Sequence, residues 1–327
     1  MTENSKNIAV VILNWNGKNW LQKFLPNVIR FSQEAEIYVI DNDSTDDSID
    51  FLKQNFPTVK IVINDKNYGF AGGYNEGLKK INAEYYCLLN SDVEVTENWI
   101  EPVLDLFKKD KSIAAIQPKI LSFDNKNYFE FAGAAGGLID NLGYPYCRGR
   151  VFDDLEEDQG QYNDETEIFW ASGCCFFIRS KDFWEQNGFD ERFFAHQEEI
   201  DLCWRLINSG KKIFYTGKSQ IYHVGGGTLN KQSAQKTFLN IRNNLSMMVK
   251  NLPLPQLIWV IFVRMCLDGV ASLYFAYKYG FSHLWAVGRG HFGFYSQLSG
   301  TLKLRQKHQK SKFHQTKWLI FKHFLSK

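Results

Sequence analysis

An α/β fold with a doubly wound, mostly parallel sheet, followed by a C-terminal helical, amphipathic extension, is what this 327-residue chain predicts. Three observations carry the expectation. Continuous apolar runs alternate with helix-like segments through the first half, as in βαβ units whose sheet is covered on both faces. The residues that end these runs are polar, and open α/β sheets bind ligands at the carboxyl ends of their strands. From about residue 233 the pattern changes to long helices with a basic face. The expected division is therefore 1–230 and 231–327.

The elements follow in order. IAVVILNW (8–15), IYVIDN (37–42), VKIVIN (59–64), YYCLLN (85–90) and IAAIQP (113–118) read as buried strands. Helices are expected near 17–31, 45–55, 72–82 and 97–109, the second opening on Asp and Ser residues that suit a helix N-terminus. Residues 119–168, rich in Gly, Asn and acids, read as loops and hairpins. IFWASGCCFFIRS (168–180) is a further buried strand. EEIDLCWRLINSG (198–210) has Ile200, Cys203, Trp204 and Ile207 at helical spacing and stops at Gly210. Strands KIFYTG and IYHVGGGT (221–228) follow. In the C-terminal part Arg264 and Asp268 interrupt the apolar run that starts at Asn251. No stretch is expected to reach the roughly 18 residues of a spanning helix, and an amphipathic surface helix fits better.

Composition narrows the function. The net charge of +2 conceals a split: residues 231–327 hold 15 Lys and Arg against one acid, Asp268, whereas residues 1–230 carry −12. A basic third points to an anionic partner. By charge alone that partner is a lipid surface, nucleic acid or a polyanion, unless the charge is simply a solvated basic tail. The amphipathic helix in this third either lies on a membrane surface or packs on the main domain or a second subunit. Six scattered cysteines with no Cys-x-x-Cys indicate a reducing compartment and no zinc site. The polar start MTENSKN, before only a short apolar run, is not expected to be a signal peptide. Nucleic acid is not an expected partner.

The candidate chemistry lies at the strand ends. Asp92, after the fourth strand, is placed to hold Mg²⁺ or Mn²⁺ against a diphosphate, with Glu94 near enough to assist; the competing reading is a helix cap, for which Thr96 serves as well. Asn14, Asn16, Asp41, Asn67 and Asn90 end strands or open loops on the same edge, and Asp41 suits a base N–H or ribose hydroxyls. NYGFAGGYNEG (67–77), with Gly69, Gly72, Gly73 and Asn75, opens a helix and offers backbone to a phosphate, although a turn alone explains its glycines. Glu198 and Glu199 start a helix; one is a candidate general base, and both are also simply comfortable there. Asp201 and Arg205 stand one turn apart and can pair. His223 ends a strand and completes a metal shell if Asp92 binds one.

In this order, VVILNWNG (10–17), VIDNDSTDDS (39–48), NYGFAGGYNEG (67–77), LLNSDVEV (88–95), WASGCCFFIR (170–179), EEIDLCWR (198–205), YHVGGGT (222–228) and LNIRNNL (239–245) resemble the family 2 glycosyltransferases of GT-A fold, especially rhamnosyltransferase-like bacterial enzymes. The resemblance spans roughly residues 6–250. It implies inverting transfer of a hexosyl or deoxyhexosyl group from a nucleoside-diphosphate sugar to a glycan or polyprenyl-linked acceptor, in cell-surface polysaccharide synthesis. Asp41 then contacts the base, and Asn14, Asn16, Asn67, Gly69, Gly72, Gly73, Asn75 and Asn90 fall in the donor-binding segments. Asn90-Ser91-Asp92 takes the Asp-x-Asp position, with Asp92 and His223 as ligands of a divalent metal; Asn90 replaces the first Asp. The Glu-Asp pair of the family falls on Glu198-Glu199, making Glu199 the base and Glu198 its rival. The location implied is cytoplasmic, with peripheral seating on the inner face of the plasma membrane as one reading of the basic third. The alternative function is a non-catalytic module that binds nucleotide sugars or glycans.

Overall fold

The structure, a computed structural model, describes residues 6–225 and 233–325. Gly226, Gly227 and Thr228, read in sequence as the end of the last strand, lie outside the described residues.

Four parallel strands, β1 (Ile8–Asn14), β2 (Ala35–Asp41), β3 (Lys60–Ile63) and β4 (Tyr85–Leu89), stand in the order β3-β2-β1-β4. They are joined by α1 (Lys18–Phe31), α2 (Ser48–Asn55) and α3 (Gly69–Leu78). Val10, Val11, Val39, Ile40, Leu88 and Leu89 are fully buried, because helices cover both faces of the sheet and leave no side for polar alternation. On one face Leu21, Leu25 and Val28 of α1 and Val103 and Phe107 of α4 (Glu101–Lys109) pack on Val10, Ile12 and Val39. On the other, Tyr74 of α3, Phe183 of α5 (Ser180–Glu185), Trp204 of α6 (Glu198–Asn208) and Met248 of α7 (Ala234–Asn251) join the core of Val11 and Ile40.

The second half of the sheet is mixed. Its strands are β5 (Val93–Val95), β6 (Ile113–Ser122), β11 (Glu165–Ile168), β12 (Cys175–Arg179) and β13 (Lys212–His223). β12 inserts antiparallel between β4 and β6. β13 lies parallel to β6 and carries β11 and β5 antiparallel. The two strands read in sequence after residue 211 are one, with a register shift between Thr216 and Gln220 where Gly217 interrupts the run. Within 119–168, β7 (Gly137–Ile139), β8 (Pro145–Cys147), β9 (Arg150–Val151) and β10 (Asp154–Leu155) form a small antiparallel sheet of their own.

Three local expectations are corrected. The α4 helix starts at Glu101, not near 97, since Asn98 is left-handed (φ 57°) and the Thr96 hydroxyl donates to the Gln220 carbonyl at 2.7 Å instead of capping. The α3 helix starts at Gly69, three residues early. The C-terminal helices are α8 (Leu254–Tyr279), α9 (Phe281–Lys303) and α10 (Leu319–Leu325). With 26 residues, α8 is long and apolar enough to cross a membrane, contrary to the sequence expectation. Arg264 and Asp268 do not break it: they stand one turn apart on its buried side, 3.6 Å from each other.

The glycines of α3 set how closely this helix approaches the sheet. A Cβ on Gly77 would lie 2.2 Å from Cδ1 of Ile40 and under 3 Å from two more of its carbons, on a central strand. Gly77→Ala gains about 1 kcal/mol of helix propensity but forces that overlap, so a net destabilisation of about 1–3 kcal/mol is expected in urea unfolding.

Candidate active site

The register of the strands brings the polar strand ends into one line. Asn14 and Asp41 are paired neighbours on β1 and β2. Both are buried, and the Asn14 amide donates to Asp41 Oδ1 and to Ser44 Oγ, each at 3.1 Å. The second Asp41 oxygen accepts from the Ser44 backbone N–H at 3.0 Å. Gly17 lies between Asn14 and Ser91, so close that a Cβ would sit 2.5 Å from Asn14 Oδ1. The line continues to Asn90 and Asp92 after β4.

His223 reaches this edge because β13 pairs antiparallel with β5: His223 faces Val93, and the Val224 N–H donates to the Asp92 carbonyl. Its Nε2 lies 3.2 Å from Asp92 Oδ1 and 3.4 Å from the Asn90 amide nitrogen. Its Nδ1 lies 3.1 Å from a carboxylate that sequence reading missed, Glu130. Glu130 sits here because its backbone N–H donates to the Ile120 carbonyl at the end of β6. Burial alone lowers the pKa of His223, but the hydrogen bonds to Asp92 and Glu130 outweigh it and push it up to about 10. Glu94 does not join the group. It faces away on β5 and pairs with Lys126.

Glu198 and Glu199 meet the same edge through β12. Because β12 runs antiparallel to β4, Cys175 faces Leu89, and the Asn90 N–H donates to the Cys174 carbonyl at 2.9 Å. The preceding residue, Gly173, lies against the Glu199 carboxyl group and the Phe70 ring. Burial pushes the pKa of Glu199 up to about 7, opposed by the backbone N–H groups of Glu199, Ile200 and Gly173. Glu198 is more deeply buried, and burial followed by the charge of Glu199 holds its pKa well above the ordinary carboxylate value. One oxygen of each carboxyl group has no hydrogen-bond partner.

The loop that delivers this pair is held from a distance. Phe194, His196 and Gln197 are all left-handed (φ 64°, 70° and 73°), a conformation that costs a residue with a Cβ about 1 kcal/mol or more. The amide nitrogen of Asn243 on α7 donates to the carbonyls of Phe193, Ala195 and His196 at 2.8–3.0 Å. Arg242 binds the carbonyls of Arg192 and Phe193, each at 3.0 Å. The segment LNIRNNL contains both residues, but its helical pattern does not reveal what they hold. Asp201 and Arg205 pair at 2.8 Å.

The remaining sequence candidates serve the scaffold in this structure. Asn16 Oδ1 accepts from the backbone of Thr45 and Asp46. Asn67 Oδ1 accepts from Asn42 and Gly69. Asn75 bonds Phe189 through both donor and acceptor. Gly69 fits under Phe194, Gly72 under Tyr68, and Gly73 against Leu13 and Asn42. A helix packed tightly on a sheet needs such glycines as much as a phosphate loop does.

Asp92 and His223 offer one carboxylate and one imidazole, with the Asn90 amide beside them. Among the described residues no group of three or more His, Cys, Asp or Glu is arranged to hold an ion unaided. This donor set fits a Mg²⁺ or Mn²⁺ ion that takes its other ligands from phosphate oxygens.

Comparison with known proteins assigns the class. The fold is that of GT-A transferases. It superposes with a TM-score of 0.55 on GalNAc-T7, crystallised with UDP, GalNAc and Mn²⁺, at 22% identity over 68% of this chain and 44% of that one. It superposes with a TM-score of 0.54 on the mannosyltransferase PcManGT of Pyrobaculum calidifontis, in complex with GDP-Man and Mn²⁺, at 10% identity over 90% of this chain and 75% of that one. The chain belongs to glycosyl transferase family 2, whose model matches residues 9–186, and is a glycosyltransferase that uses a nucleotide-sugar donor. A curated relative, the N-acetylglucosaminyl-diphospho-decaprenol L-rhamnosyltransferase of Mycobacterium tuberculosis, is 23% identical over 232 residues, 66% of this chain and 75% of that protein.

Asn243→Ala removes the side-chain donor of the Ala195 and His196 carbonyls, while Phe193 keeps Arg242. A loss of about 1–3 kcal/mol is expected in chemical unfolding. In transfer assays kcat should fall more than nucleotide affinity, because Glu198 and Glu199 move while the Asn14–Asp41 end stays in place.

Proposed function

We propose that this chain transfers a hexosyl or deoxyhexosyl group, with inversion, from a nucleoside diphosphate to a hydroxyl of a glycan or polyprenyl-linked acceptor in cell-surface polysaccharide synthesis. The observation that supports this most is Glu199: a carboxylate raised toward neutrality, with one oxygen unpartnered, joined through Gly173 and Cys174 to the Asn90–Asp92 edge. A base with a pKa near the working pH transfers protons most effectively.

In this reading Glu199 accepts the proton of the acceptor hydroxyl. The freed oxygen attacks the anomeric carbon from the face opposite the diphosphate. The bond from that carbon to the diphosphate oxygen breaks, and its electron pair departs with the diphosphate. Glu198 is the more buried of the two, so its carboxyl group is the harder for an acceptor hydroxyl to reach. Asp41, oriented by Asn14 and Ser44, accepts from the nucleoside. Asn90 and Asp92 face the diphosphate. Asp92 and His223 would hold a divalent ion, which would supply neutralisation of the charge on the departing diphosphate. Glu130 orients His223, since a carboxylate on the far nitrogen of an imidazole sets which nitrogen is free to ligate. A lipid-linked acceptor is consistent with the decaprenyl-diphosphate sugar named for the mycobacterial relative.

Transfer should rise with pH through about 7 as Glu199 loses its proton. Glu199→Gln should lower kcat by roughly 10²–10⁴, with donor affinity by calorimetry unchanged. Full activity in Glu199→Gln removes its role. Wild-type protein that binds nucleotide sugars yet turns none over, across plausible acceptors, is a binding module instead.

A separate measurement addresses the cation. Glu130→Gln should weaken Mn²⁺ binding to the nucleotide-bound protein by about 10–100-fold, read by titration calorimetry without any acceptor. Equal affinity in the variant removes the link from Glu130 to the ion.

A further inference from the structure

The C-terminal helices carry a surface the transfer reaction does not use. α8 and α9 form an antiparallel hairpin about Gly280, whose φ is 98°: Tyr295 meets Met265, His291 meets Asp268, and Tyr279 meets His283. The inner sides are conventional. Leu257 and Val260 of α8 and Ala286, Val287 and Phe294 of α9 are buried, and α9 lies along α7 with Gly290 against Ile241. The outer sides are not. Phe262, Leu273 and Tyr277 on α8 and Phe281, Trp285 and Phe292 on α9 face solvent, with Tyr277 92% and Phe281 83% exposed at the hairpin tip. Among the described residues, large exposed hydrophobics number five before residue 251 and thirteen on these two helices. A contiguous apolar face of this size marks an interaction site.

We infer that the outer face of the α8–α9 hairpin seats the protein on an anionic lipid bilayer, with α8 lying in the interface plane. Charge selects lipid over a second copy of the chain. Every exposed charge on α8, α9 and the segment after them is basic, including Lys278, Arg289, Lys303, Lys307 and Lys310, because the single acid of residues 231–327, Asp268, is buried. A self-paired face would set this basic rim against itself, whereas phosphate headgroups complement it. Aromatic residues around the tip suit the headgroup boundary.

Packing selects lying on the membrane over crossing it. Arg264 donates to the Leu142 carbonyl at 2.9 Å and to Asn244 Oδ1 at 2.7 Å, and its guanidinium lies 3.6 Å over the Tyr144 ring. A spanning α8 would have to abandon all three and carry Arg264 and Asp268 into hydrocarbon. The net −12 of residues 1–230 is repelled by the same leaflet, so the bound molecule holds the donor-binding domain away from it.

The test reads binding alone, so its outcome is independent of the transfer reaction. Full-length protein is co-sedimented with vesicles of phosphatidylcholine, with or without about one quarter phosphatidylglycerol, at about 50 and 500 mM salt. The expected result is binding to the anionic vesicles, weakened but not abolished by salt. Phe281→Asp combined with Trp285→Asp should weaken it by at least about tenfold without changing the melting temperature, since both side chains are exposed. Lys303→Glu combined with Lys307→Glu should reduce the preference for the anionic vesicles. Wild-type protein that ignores anionic vesicles at low salt overturns the inference. So does a Phe281→Asp, Trp285→Asp variant that binds like wild type, or a wild-type dimer in sedimentation velocity that this variant splits into monomers.

Discussion

Asp201 is the group on which the geometry of the site depends. It has no solvent exposure, and it accepts from Arg205 at 2.8 Å, Lys250 at 2.7 Å and Asn251 at 3.0 Å. Arg205 also binds the carbonyls of Gln186 and Gly188, and Lys250 also binds Asp190. One carboxylate thus joins α6, α7 and the turn before the loop that delivers Glu198 and Glu199. Buried ionic sets of this kind add little stability over apolar packing, yet losing one member strands the others without partners. Their effect is to fix position: where α6 begins, and therefore where Glu198 and Glu199 stand.

The two halves of the site follow opposite protonation logic. His223 is flanked by Asp92 and Glu130, whose hydrogen bonds favour its charged form despite burial, and it would give up the Nε2 proton on ligating an ion. Glu199, beside the Glu198 carboxyl group, has only backbone N–H groups opposing the effect of burial, so it is eased toward its neutral form. Environment rather than residue type separates the roles, as in other sites where neighbouring titratable groups are driven apart.

The parallel half of the fold was legible because each strand is a short apolar run closed by a polar residue, and Asp41 and Asp92 stood out by ending buried runs. The direction of β12 was not legible. An apolar run such as CCFFIR reads the same in either direction, and only pairing with β4 and β6 decides. Glu130 was hidden for the same reason: it reaches His223 through a pairing outside any local pattern. The glycines at 69–77 were ambiguous in principle, since a phosphate loop and a close helix–sheet contact both call for the absence of a Cβ. Arg264 and Asp268 were misread as breaks because charge was counted along the chain. Their spacing of four residues puts both on one helical face, where they are buried together.

The hold of α7 on the left-handed loop also bears on how such proteins can be recombined. The match to the family model ends at residue 186, yet Glu198 and Glu199 depend on Arg242, Asn243 and Lys250. A chimera made to exchange acceptor preference or membrane seating must therefore be joined after Asn251, at the Leu252–Pro253 turn, rather than before Ala234. A junction placed earlier would pair one parent's loop with another parent's clamp, and residues 194, 196 and 197 could then change only together with positions nearly fifty residues away.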